Sequence, residues 1–229
     1  MAPGFFAAAL LVLRKDLAIE AKSREIVYTT LFFAVACVMI FSFAFVKEEG
    51  VPVDNAAAGI LWIAVAFSGT LALGRTFERE RYSETLRALL LAPAGRPAIY
   101  MGKLLGMLLM MAATEVVLTP MVAFFFHAKF FSQSLRLVAL LGLGTIGYAA
   151  VGTLFAAMLI RARTRDVLLP ILLYPVTIPV IIAGVRGTAA LMESPADLPI
   201  ANLWIAMLGF FDVVFVTLSL WMFEPLMTE

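Results

Sequence analysis

Six long apolar runs, at 26–46, 56–74, 104–126, 137–160, 167–185 and 201–223, constrain this chain more than anything else in it. Four of them carry no charged residue, one is interrupted only by Glu115 and one only by Asp212. A hydrocarbon core of about 30 Å is crossed by about 20 helical residues. Inside lipid each backbone N–H and C=O must be satisfied within the segment, which leaves the helix as the element for such runs. The spacing therefore predicts an all-α integral membrane protein of six transmembrane helices. A soluble fold fails on composition: 63% of the residues are hydrophobic and 14% charged, against about 45–50% and about 25% in soluble domains.

Orientation follows from Lys and Arg. Thirteen of them fall before the first run, between the second and third, and between the fourth and fifth. Only four, Lys47, Lys129, Arg136 and Arg186, fall on the other side. Both termini are expected to be cytoplasmic. The net charge of +1 suggests no nucleic-acid partner. The single cysteine, Cys37, makes neither an internal disulfide nor a cysteine-rich metal site, and is expected to be a small buried hydrophobe. No cleavable leader is expected, because the apolar piece 5–13 is short, has no basic residue before it and runs into Arg14-Lys15-Asp16. Trp62, Trp204, Trp221, Tyr100 and Tyr148 either anchor spans at the interfaces or pack inside the bundle; the sequence alone does not choose.

Three segments outside the runs carry more information. In 4–25, Phe6, Leu10, Leu13 and Leu17 recur at helical spacing beside Arg14, Lys15, Lys22 and Arg24. That pattern suits a helix on the cytoplasmic interface with anionic lipid beneath it, the alternative being a loosely ordered leader. In the cytoplasmic loop, 77–92 reads FERERYSETLRALLLA. Tyr82, Leu86, Leu89 and Leu90 share one helical face, Glu78, Arg79, Glu80, Arg81, Glu84 and Arg87 lie largely elsewhere, and Pro93 and Pro97 end the helix. Such a helix either docks into a soluble partner, its mixed charges setting register and partner choice, or lies on the membrane. On the outer side, 185–200 holds Gly187, Pro195 and Pro199 after a fifth run broken by Pro170, Pro175 and Pro179. A kinked helix, a re-entrant hairpin and a plain loop all fit.

Glu115 and Asp212 fall near the middle of their spans. A charge there costs about 2.5–3.5 kcal/mol on insertion scales. No Lys or Arg lies at a span centre to pair with them, so both acids are expected inside the bundle or at a subunit interface. Thr114, Thr119, Thr145, Thr177 and Asn202 are their candidate neighbours. They serve either as pathway or gating elements or as polar glue between helices. Catalytic chemistry is not expected. There is no GxxxxGK[ST] loop, no HExxH and no acid cluster with metal spacing, and Asp166 and Asp212 sit in no protease-like arrangement. If the chain takes part in driven work, the energy source is on another polypeptide.

An ordered set of residues carries a family resemblance. It comprises Arg14-Lys15-Asp16-Leu17-x-x-Glu20, Gly59-Ile60-Leu61-Trp62-Ile63-Ala64, Arg75-x-Phe77-x-x-Glu80-Arg81, Leu89-Leu90-Leu91-Ala92-Pro93 and Ile99-Tyr100-x-Gly102-Lys103. The chain resembles the CcmB family, the permease subunits of cytochrome c maturation ABC systems, most densely over 59–103. The resemblance implies a six-span, ABC-2-like permease with an N-terminal interfacial (elbow) helix and a cytoplasmic coupling helix at 77–92. Glu78, Arg79, Glu80, Arg81 and Glu84 would then be the ATPase-coupling residues. It further implies a bacterial inner membrane, two copies of the chain, and two of a partner ATPase, CcmA, that binds ATP-Mg. CcmC, CcmD and the periplasmic haem chaperone CcmE would complete the assembly. Haem is then cargo of the complex, with no cofactor bound by this chain itself. His127, the one histidine, is either a ligand to haem iron from outside or an interfacial polar residue. The competing readings are an ABC-2-type permease exporting a lipid, glycan or drug, and an intramembrane enzyme or ion-coupled carrier needing no ATPase.

Overall fold

The computed structural model describes residues 4–45, 56–76, 95–128, 130–160 and 162–226. Within them lie seven α-helices and no strand: α1 (Phe5–Ser23), α2 (Glu25–Ala44), α3 (Ala56–Thr76), α4 (Arg96–Phe126), α5 (Ser134–Met158), α6 (Arg165–Met192) and α7 (Leu198–Leu226). A short 3-10 turn, Phe130–Gln133, precedes α5. Helices α2 to α7 are each long and apolar enough to cross a membrane. All-helical architecture with six spanning helices is what the apolar runs predict.

Several helices outrun the apolar runs. Helix α4 begins at Arg96, with Pro97 in its first turn, where a missing N–H costs nothing. Helix α6 runs unbroken through Pro170, Pro175 and Pro179 for 28 residues, about 42 Å of helix. The segment 185–200 is therefore not a re-entrant hairpin: it is the end of α6, a short connection and the start of α7. Asp197 makes that connection tight. Its N–H donates to the Ala190 carbonyl at 2.9 Å, and its carboxylate accepts the Ile200 N–H at 3.1 Å in the first turn of α7.

Lipid tails are as apolar as leucine, so the hydrophobic effect does not drive spans together; close packing through small residues does. Helix α5 supplies these. Gly144, Gly147, Ala149, Ala150, Gly152, Ala156 and Ala157 are buried along it, and α3, α4, α6 and α7 all pack against it. Trp62 of α3 lies with its ring directly against Gly144 of α5 and Gly184 of α6, where a Cβ would fall within the indole. Its Nε1–H donates to Thr188 of α6 at 3.0 Å. Trp62, Tyr100 and Tyr148 are thus interior residues, whereas Trp221 is exposed to the surroundings. Helices α2 and α7 lie at the periphery, with most of their spanning surface uncovered.

Helix α1 is laid on the start of α4. Ala8 and Ala9 pack on Ala98, and Gly102 lets the backbones meet: a Cβ there would stand 2.7 Å from the Ala9 carbonyl oxygen and from Val12 Cβ. Phe6, Leu10 and Leu11 point away from the protein, as an interfacial helix requires. The turn into α2 is sharp. Arg24 is left-handed, at φ 53°, and the buried Glu20 carboxylate accepts the Val27 N–H at 3.0 Å, satisfying an orphan donor of α2.

Candidate functional site

The sequence points to two places: the cytoplasmic loop after α3, and the acids inside the bundle. Glu78, Arg79, Glu80, Arg81 and Glu84 lie outside the described residues. Both flanks of their loop are described, and both are anchored by buried cations.

The end of α3 is held from α6 and α2. Arg165, the first residue of α6, is buried. Its Nη2 donates to the carbonyls of Leu73 at 3.0 Å and Gly74 at 2.8 Å. These are terminal carbonyls of α3 that lack a helical donor, at the negative end of its dipole. One residue on, Arg75 pairs with Glu25 of α2 at 3.0 Å. The start of α4 is held by other elements. Lys103 is 2% exposed and pairs with Asp16 of α1 at 2.8 Å, and Asp16 also meets Lys15 at 2.9 Å. Arg96 donates to the Glu224 carbonyl of α7 at 3.3 Å. A displacement of the loop would therefore reach α2 and α6 through one flank, and α1 and α7 through the other. In the sequence, Arg165 stands only as an orienting charge, and Lys103 as an orienting charge and a residue of the family resemblance, neither as an anchor. Their position at the edge of apolar runs is a usable signal, since a cation there must either reach water or be paired inside.

Within the bundle, Glu115 of α4 accepts a hydrogen bond from the Thr145 hydroxyl of α5. Thr145 is one of the five neighbours expected for the acids. Asp212 of α7 is 7% exposed, and neither carboxylate oxygen has a hydrogen-bond partner among the described residues. Its carboxylate faces Gly147 of α5, where a Cβ would stand 2.6 Å from Oδ1. Thr145 and Gly147 are two positions apart, so they project from opposite sides of α5. The two acids thus meet α5 from α4 and from α7 respectively, and do not form a pair. Asn202 accepts from Arg136 at 3.1 Å near the outer end, and the Thr177 hydroxyl donates to its own helix at the Leu173 carbonyl.

A third polar group went unread in the sequence. The Tyr148 hydroxyl of α5 donates to the Ala66 carbonyl of α3 at 2.7 Å. Thr70 of α3 stands 2.7 Å from the Tyr148 hydroxyl and 3.1 Å from that of Tyr174 on α6. Three helices are thereby joined by hydroxyls in the half of the bundle nearest the loop. His127 is exposed and left-handed (φ 52°) at the C-terminal end of α4, where its N–H closes the helix on the Ala123 carbonyl.

Six apolar helices joined by scattered polar contacts do not by themselves name a family, and the comparison with known sequences decides it. The family described as CcmB protein matches residues 7–225 of this chain. The chain belongs to the CcmB family. Three curated relatives match between 69% and 91% of its length. It is 25% identical over 208 residues to heme exporter protein B of Haemophilus influenzae, covering 91% of each chain. It is 26% identical over 202 residues to heme exporter protein B of Pseudomonas aeruginosa, covering 87% of this chain and 88% of that one. With heme exporter protein B of Rhodobacter capsulatus it shares 28% identity over 159 residues, 69% of this chain and 72% of the relative.

Proposed function

We propose that this chain is the membrane subunit of an ATP-driven haem-export assembly serving cytochrome c maturation. In it, hydrolysis on a partner ATPase is transmitted through the loop after α3. Membership of the CcmB family and the names of its relatives support the class of assembly. The observation that carries the coupling is the anchoring of both loop flanks, one by Arg165 of α6 bound to the end of α3 and the other by Lys103 of α4 paired with Asp16 of α1. A helix at 77–92, seated on a CcmA-type ATPase that binds ATP-Mg, would move with nucleotide-driven closure. Glu78, Arg79, Glu80, Arg81 and Glu84 supply the contacts that must differ between nucleotide states for work to be done. The assembly holds two copies of this chain, with CcmC, CcmD and the haem chaperone CcmE, in a bacterial inner membrane with both termini cytoplasmic. Haem, as cargo, reaches the chaperone, and ATP hydrolysis either delivers it or frees the loaded chaperone. Glu115 and Asp212 lie at the α5 contacts that such a movement would shift.

The test is a paired charge reversal, Glu80→Arg with Arg81→Glu, read by co-purification of the ATPase in mild detergent and by c-type cytochrome formation. Loss of both, with membrane insertion intact, is the expected result. Undiminished co-purification would overturn the coupling assignment. Normal c-type cytochromes in a strain lacking the chain would overturn the haem assignment and point to another exported substrate.

A further inference from the structure

At the cytoplasmic end of the bundle a cleft of about 330 Å³ opens between α3 and α6. Thr70, Leu71, Gly74 and Arg75 line one wall, and Asp166, Leu169 and Pro170 the other. We propose that this cleft seats the headgroup of an inner-leaflet phospholipid bearing a primary ammonium, with Asp166 as its acceptor.

The electrostatics favour a cation. Arg75 is paired with Glu25 at 3.0 Å and Arg165 is turned onto the Leu73 and Gly74 carbonyls, which leaves Asp166 as the acid among the lining residues. Asp166 brings two acceptors. One is its carboxylate. The other is its own carbonyl, because Pro170, four residues on, has no N–H to return to it. A primary ammonium has three N–H donors for such acceptors, whereas a trimethylammonium has none. The phosphate next to that ammonium would lie toward Arg75. An anion without an ammonium meets Asp166 as a like charge.

The walls say why the occupant is a lipid and not a soluble cation. Away from that end, Ile63 and Phe67 precede Leu71 at four-residue spacing along α3 and all three are exposed, as are Ile171 and Ile178 along α6. The rings of Phe67 and Tyr174 meet edge to face, centroids 6.1 Å apart, and tie the two helices together above the cleft. Acyl chains following these stripes stay in the hydrocarbon layer while the head remains between the two helix ends. The cleft is at the small end of the roughly 300–1,000 Å³ usual for ligand sites, which suits a headgroup. Asp166 also lies in the first turn of α6, where a carboxylate offsets the helix dipole. That role alone would give no lipid preference, and the experiment separates the two.

The full-length chain is reconstituted in nanodiscs of equal palmitoyl-oleoyl phosphatidylethanolamine, phosphatidylcholine and phosphatidylglycerol. Lipids retained on detergent release are then counted by native mass spectrometry. Phosphatidylethanolamine should be retained at least fivefold over each of the others. Asp166→Asn should abolish that preference, while Glu193→Gln, an acid at the outer end of α6, keeps it. Leu71→Trp, which fills the cleft and leaves Asp166 in place, should remove the retained lipid without loss of folded protein. Equal retention of the three lipids overturns the proposal. So does an unchanged preference in Asp166→Asn, or a second copy of the chain covering the cleft with no lipid held.

Discussion

Removing Asp16 should destabilise the protein more than removing Lys103, although the two share one ion pair. Lys103 is 2% exposed and Asp16 21%. Taking away one partner of a buried pair costs about 3–5 kcal/mol, because the other charge stays behind in a poor solvent. In Asp16→Ala the ammonium remains deep at the α1–α4 contact and loses its carboxylate, so the cost falls near the low end of that range, about 3 kcal/mol. In Lys103→Met a straight apolar chain of similar length takes the buried space. Asp16 keeps Lys15 at 2.9 Å and some access to water. Replacing a buried ion with a hydrophobe of like volume is often close to neutral, so about 1 kcal/mol or less is expected. At about 2–4 °C per kcal/mol for a chain of this length, thermal unfolding in detergent should drop by roughly 6–12 °C in the first variant and by less than about 4 °C in the second. Tryptic cleavage at Lys22 and Arg24 should accelerate only in the first, as α1 lifts from α4. Equal shifts, or a larger one in Lys103→Met, would refute a buried pair whose cost is set by the lysine.

Arg165→Met should release the end of α3. Two charge-assisted bonds to the Leu73 and Gly74 carbonyls are lost, about 3–6 kcal/mol in all, and cleavage after Arg75 should quicken; Arg165→Lys should recover this only in part, since a compact ammonium lacks the guanidinium's fixed donor geometry. Asp212→Asn should leave thermal stability unchanged or raise it by about 1 kcal/mol, because a carboxylate with no donor among the described residues already carries its desolvation cost, and a clear fall in melting temperature would reveal a donor. If Glu115→Gln and Asp212→Asn each leave c-type cytochrome formation at the wild-type level, neither acid belongs to a pathway or gate.

The six spans were legible because lipid makes the same demand at every crossing, a run of apolar residues long enough to satisfy its own backbone. The same demand hides the interior. A helix apolar all round shows no stripe that separates the face against lipid from the face against another helix. Trp62 and Trp221 therefore look alike in sequence, although one is held between two glycines and the other is exposed. The small residues of α5 were the available signal, since in a bilayer they mark where backbones approach. The far end of α6 stayed open between a helix, a hairpin and a loop for a related reason. Its prolines and glycines suggested a break, but a helix packed along its length against α5 and α7 can keep its course with several carbonyls unreturned.

Polar residues divide along another line. Those far from every span edge, Glu115 and Asp212, stood out because nothing near them in sequence could excuse a charge. Lys103 and Arg165 stood at span edges, where a cation is ordinarily explained by topology, so their inward course was not foreseen. The partner of Lys103 is on α1 and the carbonyls held by Arg165 are on α3, both remote in sequence. Yet orienting a span and anchoring a loop call for the same residue at the same height. A cation that keeps a helix end on the cytoplasmic side is already placed to bind the carbonyls or carboxylates of neighbouring helix ends. On the coupling proposed above, those helix ends are where the force enters.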